Sequence, residues 1–317
     1  MNRKLIAKVG WVCGMILPLL VLGSEGSCRT SWSWMQSPRH GWLGKGRVDS
    51  EGVRQALELS YYSGPDADPV KHKLDLYLPE GKTGFPVVIF IHGGGWVQGD
   101  KRWVTDPYGD LGRTFARNGV GVACVNYRLS PQFQYPVPVQ DVARAFAWVR
   151  RNIAGYGGDA DRMFVMGHSA GGHLAALLST DERWLKEQGL SLENIRGAIP
   201  ISGGYDLATL PNCLAAKPFE FIINRFAGRD PERIKQASPI NYLDPGKSLP
   251  PFLVIWGGRD LPLLPDQAEA FAKKLKDNGH QVKAVRYASS NHLATATGLR
   301  KSGGPELEEV LKFIRTY

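Results

Sequence analysis

Ser169 lies in Gly167-His168-Ser169-Ala170-Gly171, a G-x-S-x-G spacing that suits a serine nucleophile. A short apolar run, Met163 to Met166, leads into it, and the small-residue stretch Ala170 to Ala176 leaves it. That order predicts a strand, a sharp turn and a helix. The turn exposes the hydroxyl, and side chains at 167 and 171 would collide with the adjoining strand and helix. The helix N-terminus then directs amides at negative charge developing beside the serine. His168 and His173 flank the motif and read as packing residues that do not touch substrate.

Acyl transfer also needs donors for a tetrahedral oxyanion. His92-Gly93-Gly94-Gly95-Trp96 follows the apolar run Val87 to Ile91. Three glycines let backbone amides approach a reacting oxygen without Cβ clashes, so Gly94, Gly95 and Ala170 are the expected oxyanion donors. His92 is expected to brace this loop. The Gly-Lys-Ser/Thr of a phosphate-binding loop is absent, and no G-x-G-x-x-G opens a helix here.

A serine hydroxyl needs a general base, and the base needs an orienting carboxylate. Among seven histidines, His292 follows the strand-like Gln281–Tyr287, whereas His280 precedes it and falls at the opposite edge. Asp260 leaves the buried strand-like run Phe252–Trp256. Its rival, Asp266, sits at a helix start where capping explains it. Ser169, Asp260 and His292 occur in the Ser, Asp, His order used by one class of serine hydrolases. Trp96 and Tyr205 complete the site as candidate substrate-binding residues. Neither a metal nor a cofactor is expected.

The elements that must position these residues alternate along the chain. Val70–Leu78 alternates apolar with polar residues and predicts a half-exposed antiparallel strand. Pro86–Ile91 and Val120–Tyr127 are continuous apolar runs, as in strands buried on both faces. Arg162–Gly167, Ile195–Ser202, Phe252–Trp256 and Gln281–Tyr287 are further strands. Val139–Ile153, with Val142, Phe146 and Val149 on one stripe, predicts a helix, as do Ala170–Ser179, Asp266–Asn278 and Pro305–Thr316. Repeated strand and helix imply a mostly parallel sheet covered on both faces. The proline-rich stretch 207–250, with a helical piece at Phe219–Phe226, is expected to form a lid-like insertion over the sheet's carboxyl edge.

The chain has 317 residues, 43% of them hydrophobic and 22% charged, which suits one large globular domain. Residues 1–23 have the basic-then-apolar order of a signal peptide. The uncharged run Val9–Ser24 is shorter than a membrane span. The expectation is an exported protein, periplasmic or secreted. Membrane attachment would require an uncleaved leader or a lipidated Cys28. Residues 24–55 read as an arm or linker, and 56–317 as the enzymatic domain. Net charge is +9, three of it in the first eight residues, and basic residues alternate with acids. That pattern is a solvated surface rather than a nucleic-acid patch. Four cysteines without a C-x-x-C pair signal neither zinc nor a disulfide framework. Oligomeric state is left open.

In these residues the sequence resembles the bacterial carboxylesterases of the α/β-hydrolase type that include feruloyl and acetylxylan esterases, near the hormone-sensitive-lipase-like branch. The resemblance runs from about Lys71 to the C-terminus. It rests on His92–Trp96, Tyr127-Arg128-Leu129-Ser130-Pro131, Asp141 with Trp148, Gly167–Gly172, Ser202-Gly203-Gly204-Tyr205-Asp206, Ser238-Pro239, Asp260 and His292. Asp260 to Pro265 is one residue longer than that family's usual acid-to-proline spacing. The resemblance implies an α/β-hydrolase fold, with an eight-stranded, mostly parallel sheet. It also implies metal-free Ser/Asp/His hydrolysis of a small-molecule ester through an acyl-enzyme. Kynurenine formamidases are similar in the same stretches, so an amide hydrolase or peptidase stays open. So does a catalytically silent binding protein of the same fold.

Overall fold

The computed structural model describes residues 47–103, 106–209 and 216–317. The expected leader, Cys28 and the arm as far as residue 46 lie outside the described residues. Among those described, no helix is long and apolar enough to cross a membrane.

Nine strands form one sheet: β1 (Arg47–Val48), β2 (Val53–Ser60), β3 (Lys73–Pro79), β4 (Phe85–Ile91), β5 (Gly121–Val125), β6 (Gly158–His168), β7 (Gly197–Ile201), β8 (Phe252–Arg259) and β9 (Val282–Asn291). Their order is β1-β2-β3-β5-β4-β6-β7-β8-β9. Pairing is antiparallel from β1 through β5, and every pair from β5-β4 to β8-β9 is parallel. This is the α/β-hydrolase fold. The sheet has one strand more than the eight expected, and its first two strands begin inside the stretch assigned to an arm. A register shift between Ala56 and Leu59 breaks β2's alternation, which hides the strand from a period-two reading.

The nine helices are α1 (Pro107–Arg117), α2 (Val137–Asn152), α3 (Ala170–Thr180), α4 (Arg183–Lys186), α5 (Lys217–Ala227), α6 (Pro231–Gln236), α7 (Leu264–Asp277), α8 (His292–Thr297) and α9 (Pro305–Thr316), counted among the described residues. Strand β4 shows how they cover the sheet, because its successive side chains alternate between faces. Val87, Ile89 and Ile91 pack with Val139, Val142 and Phe146 of α2. Val88 and Phe90 pack with Leu111 and Phe115 of α1 and with Leu307 and Leu311 of α9. Every residue of β4, β5 and β7 is buried.

The half-exposed strand expected over Val70–Leu78 is instead buried from Leu74 onward. It is not an edge strand, since β2 and β5 flank it. Its polar positions are satisfied internally. Asp75 accepts from Arg102 Nε at 2.8 Å and pairs with Lys101 Nζ at 3.2 Å. The Tyr77 ring lies against Gly112 of α1.

Because β4, β6, β7, β8 and β9 are parallel, their carboxyl ends share one edge of the sheet. The loops carrying His92–Trp96, Ser169, Ser202, Asp260 and His292 all leave from it.

Candidate active site

Ser169 has φ 58° and ψ −121° and is the residue before α3. Serine there would ordinarily cap the helix, but its side chain makes no capping bond. Its amide donates to Ile201 O at 2.8 Å, tying the turn to β7. Glycine is demanded at 171: a Cβ would lie 2.1 Å from Ile91 O. The turn is thus wedged against the end of β4, next to the glycine loop.

In that loop Gly94 has φ 117°, and a Cβ there would fall 2.1 Å from Gln98 O. The Gly94 carbonyl accepts from the amides of Val97 (3.2 Å) and Gln98 (3.1 Å), which folds the loop tightly. Gly93 packs against Ser169: a Cβ on it would sit 3.1 Å from Ser169 Cβ. The loop and the first turn of α3, which begins with Ala170, therefore face the same serine.

His292 Nδ1 lies 2.6 Å from Asp260 Oδ1. The carboxylate is acceptor-only when ionised, so Nδ1 carries the proton and Nε2 presents its lone pair. Among the described residues no other hydrogen bond engages the ring. Strand β9 runs through Asn291, beyond its expected end at Tyr287, and His292 opens α8. Asp260 has a fully buried side chain. Burial pushes its pKa up, but hydrogen bonds from His292 and Ser202 and the nearby imidazole outweigh that and hold it below the usual carboxylate range.

His168 does more than pack. Its Nε2–H donates to His292 O at 2.8 Å, and the two rings lie 4.6 Å apart. The residue before Ser169 thereby holds the main chain of His292 and packs against its ring. Burial, then the neighbouring imidazole, lowers the His168 pKa to about 3, so it stays neutral. Burial likewise lowers His92 and His173 to about 4.

His92 Nδ1 donates to Gly93 O at 2.8 Å, and its ring stacks on Tyr127, bracing the loop from below. Trp96, expected at the substrate, is only 6% exposed. Its Nε1–H donates to His173 Nδ1 (3.2 Å), and its ring stacks on Phe226 of α5 at 4.4 Å. Through that stack, and through Ile222 against Gly95, α5 covers the glycine loop. Trp96 is therefore mainly a wall between loop and helix.

Tyr205 is a correction. It is fully buried, its ring stacks on Phe271 of α7, and its hydroxyl accepts from the Gly203 amide. It belongs to the core and has no surface to offer a substrate. The rival acid, Asp266, sits in the first turn of α7, whereas Asp260 holds the histidine. Ser202, which bonds Asp260, lies outside the set of expected site residues. Nothing in Ser-Gly-Gly after a strand distinguishes it from a turn.

The family described as BD-FAE matches residues 74–275, well over half of the chain. The chain belongs to the BD-FAE family. That places it among α/β-hydrolase carboxylesterases, and the matched span holds Ser169, Asp260 and the glycine loop. Esterase LipQ of Mycobacterium tuberculosis is 38% identical over 255 residues, 73% of this chain and 59% of that protein. A probable isoprenylcysteine alpha-carbonyl methylesterase, ICMEL1 of Arabidopsis thaliana, is 33% identical over 238 residues, 71% of this chain and 49% of that one. The crystal structure of esterase B from Lactobacillus rhamnosis superposes with a TM-score of 0.71 at 25% identity, covering 86% of each chain. This BD-FAE chain spans 49–60% of the length of the first three curated relatives.

Proposed function

We propose that the chain is a serine carboxylic-ester hydrolase acting on a small-molecule ester through Ser169, His292 and Asp260. The observation that carries this reading is the 2.6 Å contact between His292 Nδ1 and Asp260, in a residue whose main-chain carbonyl accepts from His168, the neighbour of Ser169. The esterases among the relatives favour an ester over an amide substrate.

In this mechanism His292 Nε2 takes the Ser169 proton as the oxygen attacks the ester carbonyl. The amides of Gly94, Gly95 and Ala170 hold the oxyanion, aided by the N-terminal dipole of α3. Collapse expels the alcohol, which takes the proton from His292. Water then repeats the sequence on the acyl-enzyme and releases the acid. Asp260 stays ionised and steadies the imidazolium. Among the described residues no hydrogen bond joins the Ser169 hydroxyl to His292, and such bonds often tighten only around substrate.

The test is hydrolysis of p-nitrophenyl acetate beside a formyl amide such as N-formylkynurenine. Ester turnover that S169A abolishes supports the proposal. A preference for the formyl amide would make the chain an amidase on the same residues. Undiminished ester turnover in S169A would refute it.

A further inference from the structure

Ser202 follows β7, is fully buried and has φ 50°. Its amide donates to Ile255 O of β8 at 2.8 Å, and its Oγ donates to Asp260 Oδ2 at 2.6 Å. The Asp260 carboxylate has three other donors. Gly257 N reaches Oδ2 at 3.2 Å, Leu261 N reaches Oδ1 at 2.8 Å, and His292 Nδ1 reaches Oδ1 at 2.6 Å. The two backbone donors belong to Asp260's own turn and move with it. Ser202 and His292 are the two partners from outside, one on each oxygen. A carboxylate rotor has broad, nearly two-fold freedom, so a group fixed on Oδ2 decides how Oδ1 meets the imidazole.

Thr295 Oγ1 lies 3.2 Å from Ser202 Oγ and 2.7 Å from His292 O. Each hydroxyl owns one proton. The ionised carboxylate is the stronger acceptor, so the Ser202 proton goes to Asp260. The Thr295 proton is left for His292 O or for Ser202 Oγ. Backbone preference alone favours glycine at a φ of 50°; what serine adds is the hydroxyl on Asp260.

We propose that Ser202 is a positioning residue of the hydrolytic centre, fixing the Asp260 carboxylate so that its other oxygen sets the tautomer and direction of His292. The inference rests on Ser169, His292 and Asp260 being the catalytic set. Without the Ser202 donor, the Asp260 charge is less dispersed and stabilises the His292 imidazolium more. The other titratable group against that ring is His168, which stays neutral.

The experiment compares wild type, S202A and S202G on p-nitrophenyl acetate across about pH 5 to 9, with thermal unfolding measured alongside. Glycine removes the hydroxyl while relaxing the backbone, so S202G should unfold no earlier than S202A. In both variants kcat is expected to fall about 10- to 100-fold, the worth of one charge-assisted hydrogen bond, with KM changed less than about threefold. The acidic limb of kcat/KM should move to higher pH. Wild-type kcat with an unmoved limb in S202G would overturn the proposal. So would activity that is lost in S202A only in proportion to unfolding and returns in S202G. S169A is measured in parallel. An active S169A sinks the catalytic set itself, whereas an inactive S169A beside a fully active S202G sinks only the role of Ser202.

Discussion

His168 Nε2 donates to the main-chain carbonyl of His292 across 2.8 Å, so the residue preceding Ser169 holds the proposed base in place. The ring is also packed against the imidazole it anchors. H168A is therefore expected to lower kcat about tenfold or more and to destabilise the fold by about 2–4 kcal/mol. H168Q, which can keep a donor, should recover part of the rate. Esterase assays and urea unfolding check this. A stable H168A with wild-type kcat would show that the anchor is dispensable.

Ile222 of α5 packs on the glycine loop, its Cγ2 3.2 Å from where a Cβ on Gly95 would stand, and it is only partly buried. On the proposed mechanism, shortening it opens space beside the reacting carbonyl. I222A should raise kcat/KM for p-nitrophenyl butyrate and hexanoate relative to acetate by about three- to tenfold. An unchanged ratio across the series would place Ile222 off the acyl path.

His92, His168 and His173 are buried, with pKa values lowered to about 4, 3 and 4. The unfolded chain binds protons at these sites near pH 6.5, while the folded chain does not. The stability they contribute is complete above about pH 6.5 and is lost as pH falls through the folded values. Each site adds a slope of up to about 1.4 kcal/mol per pH unit. Unfolding free energy should thus drop steeply between about pH 6 and 4. The H173N variant should flatten that slope by about one proton. A stability that is level across this range would contradict the neutral assignment.

How legible the site is in the sequence depends on where each group comes from. Ser169 carries its own local signature, because a sharp turn between strand and helix leaves small residues at fixed offsets. Asp260 and His292 are legible by elimination, since parallel strands deliver their following residues to one edge. Ser202 meets Asp260 across 58 positions of chain, and no local pattern records that contact. Tyr205 misleads for a related reason. Phe271 on a distant helix claims its ring. Strand β3 looked half-exposed because Asp75 and Tyr77 are polar. Ion pairs and a close helix bury them.

Asp141 is fully buried, accepting from Arg128 Nε and Nη2 at 2.8 Å each and contacting His72 Nε2 at 3.0 Å. Removing the carboxylate leaves the Arg128 guanidinium without its main buried counter-charge. D141A should lose about 3–5 kcal/mol of stability. Its kcat should stay near wild type at temperatures where it remains folded. A selective loss of kcat in folded protein would instead link this cluster to the active site.

The central question is whether Ser169 becomes the covalent attachment point. Incubation with a fluorophosphonate followed by mass spectrometry answers it directly. The predicted result is a single adduct on the peptide carrying Ser169, absent in S169A and formed far more slowly in H292A. An adduct on another residue, or none in a protein that still hydrolyses esters, would contradict the mechanism.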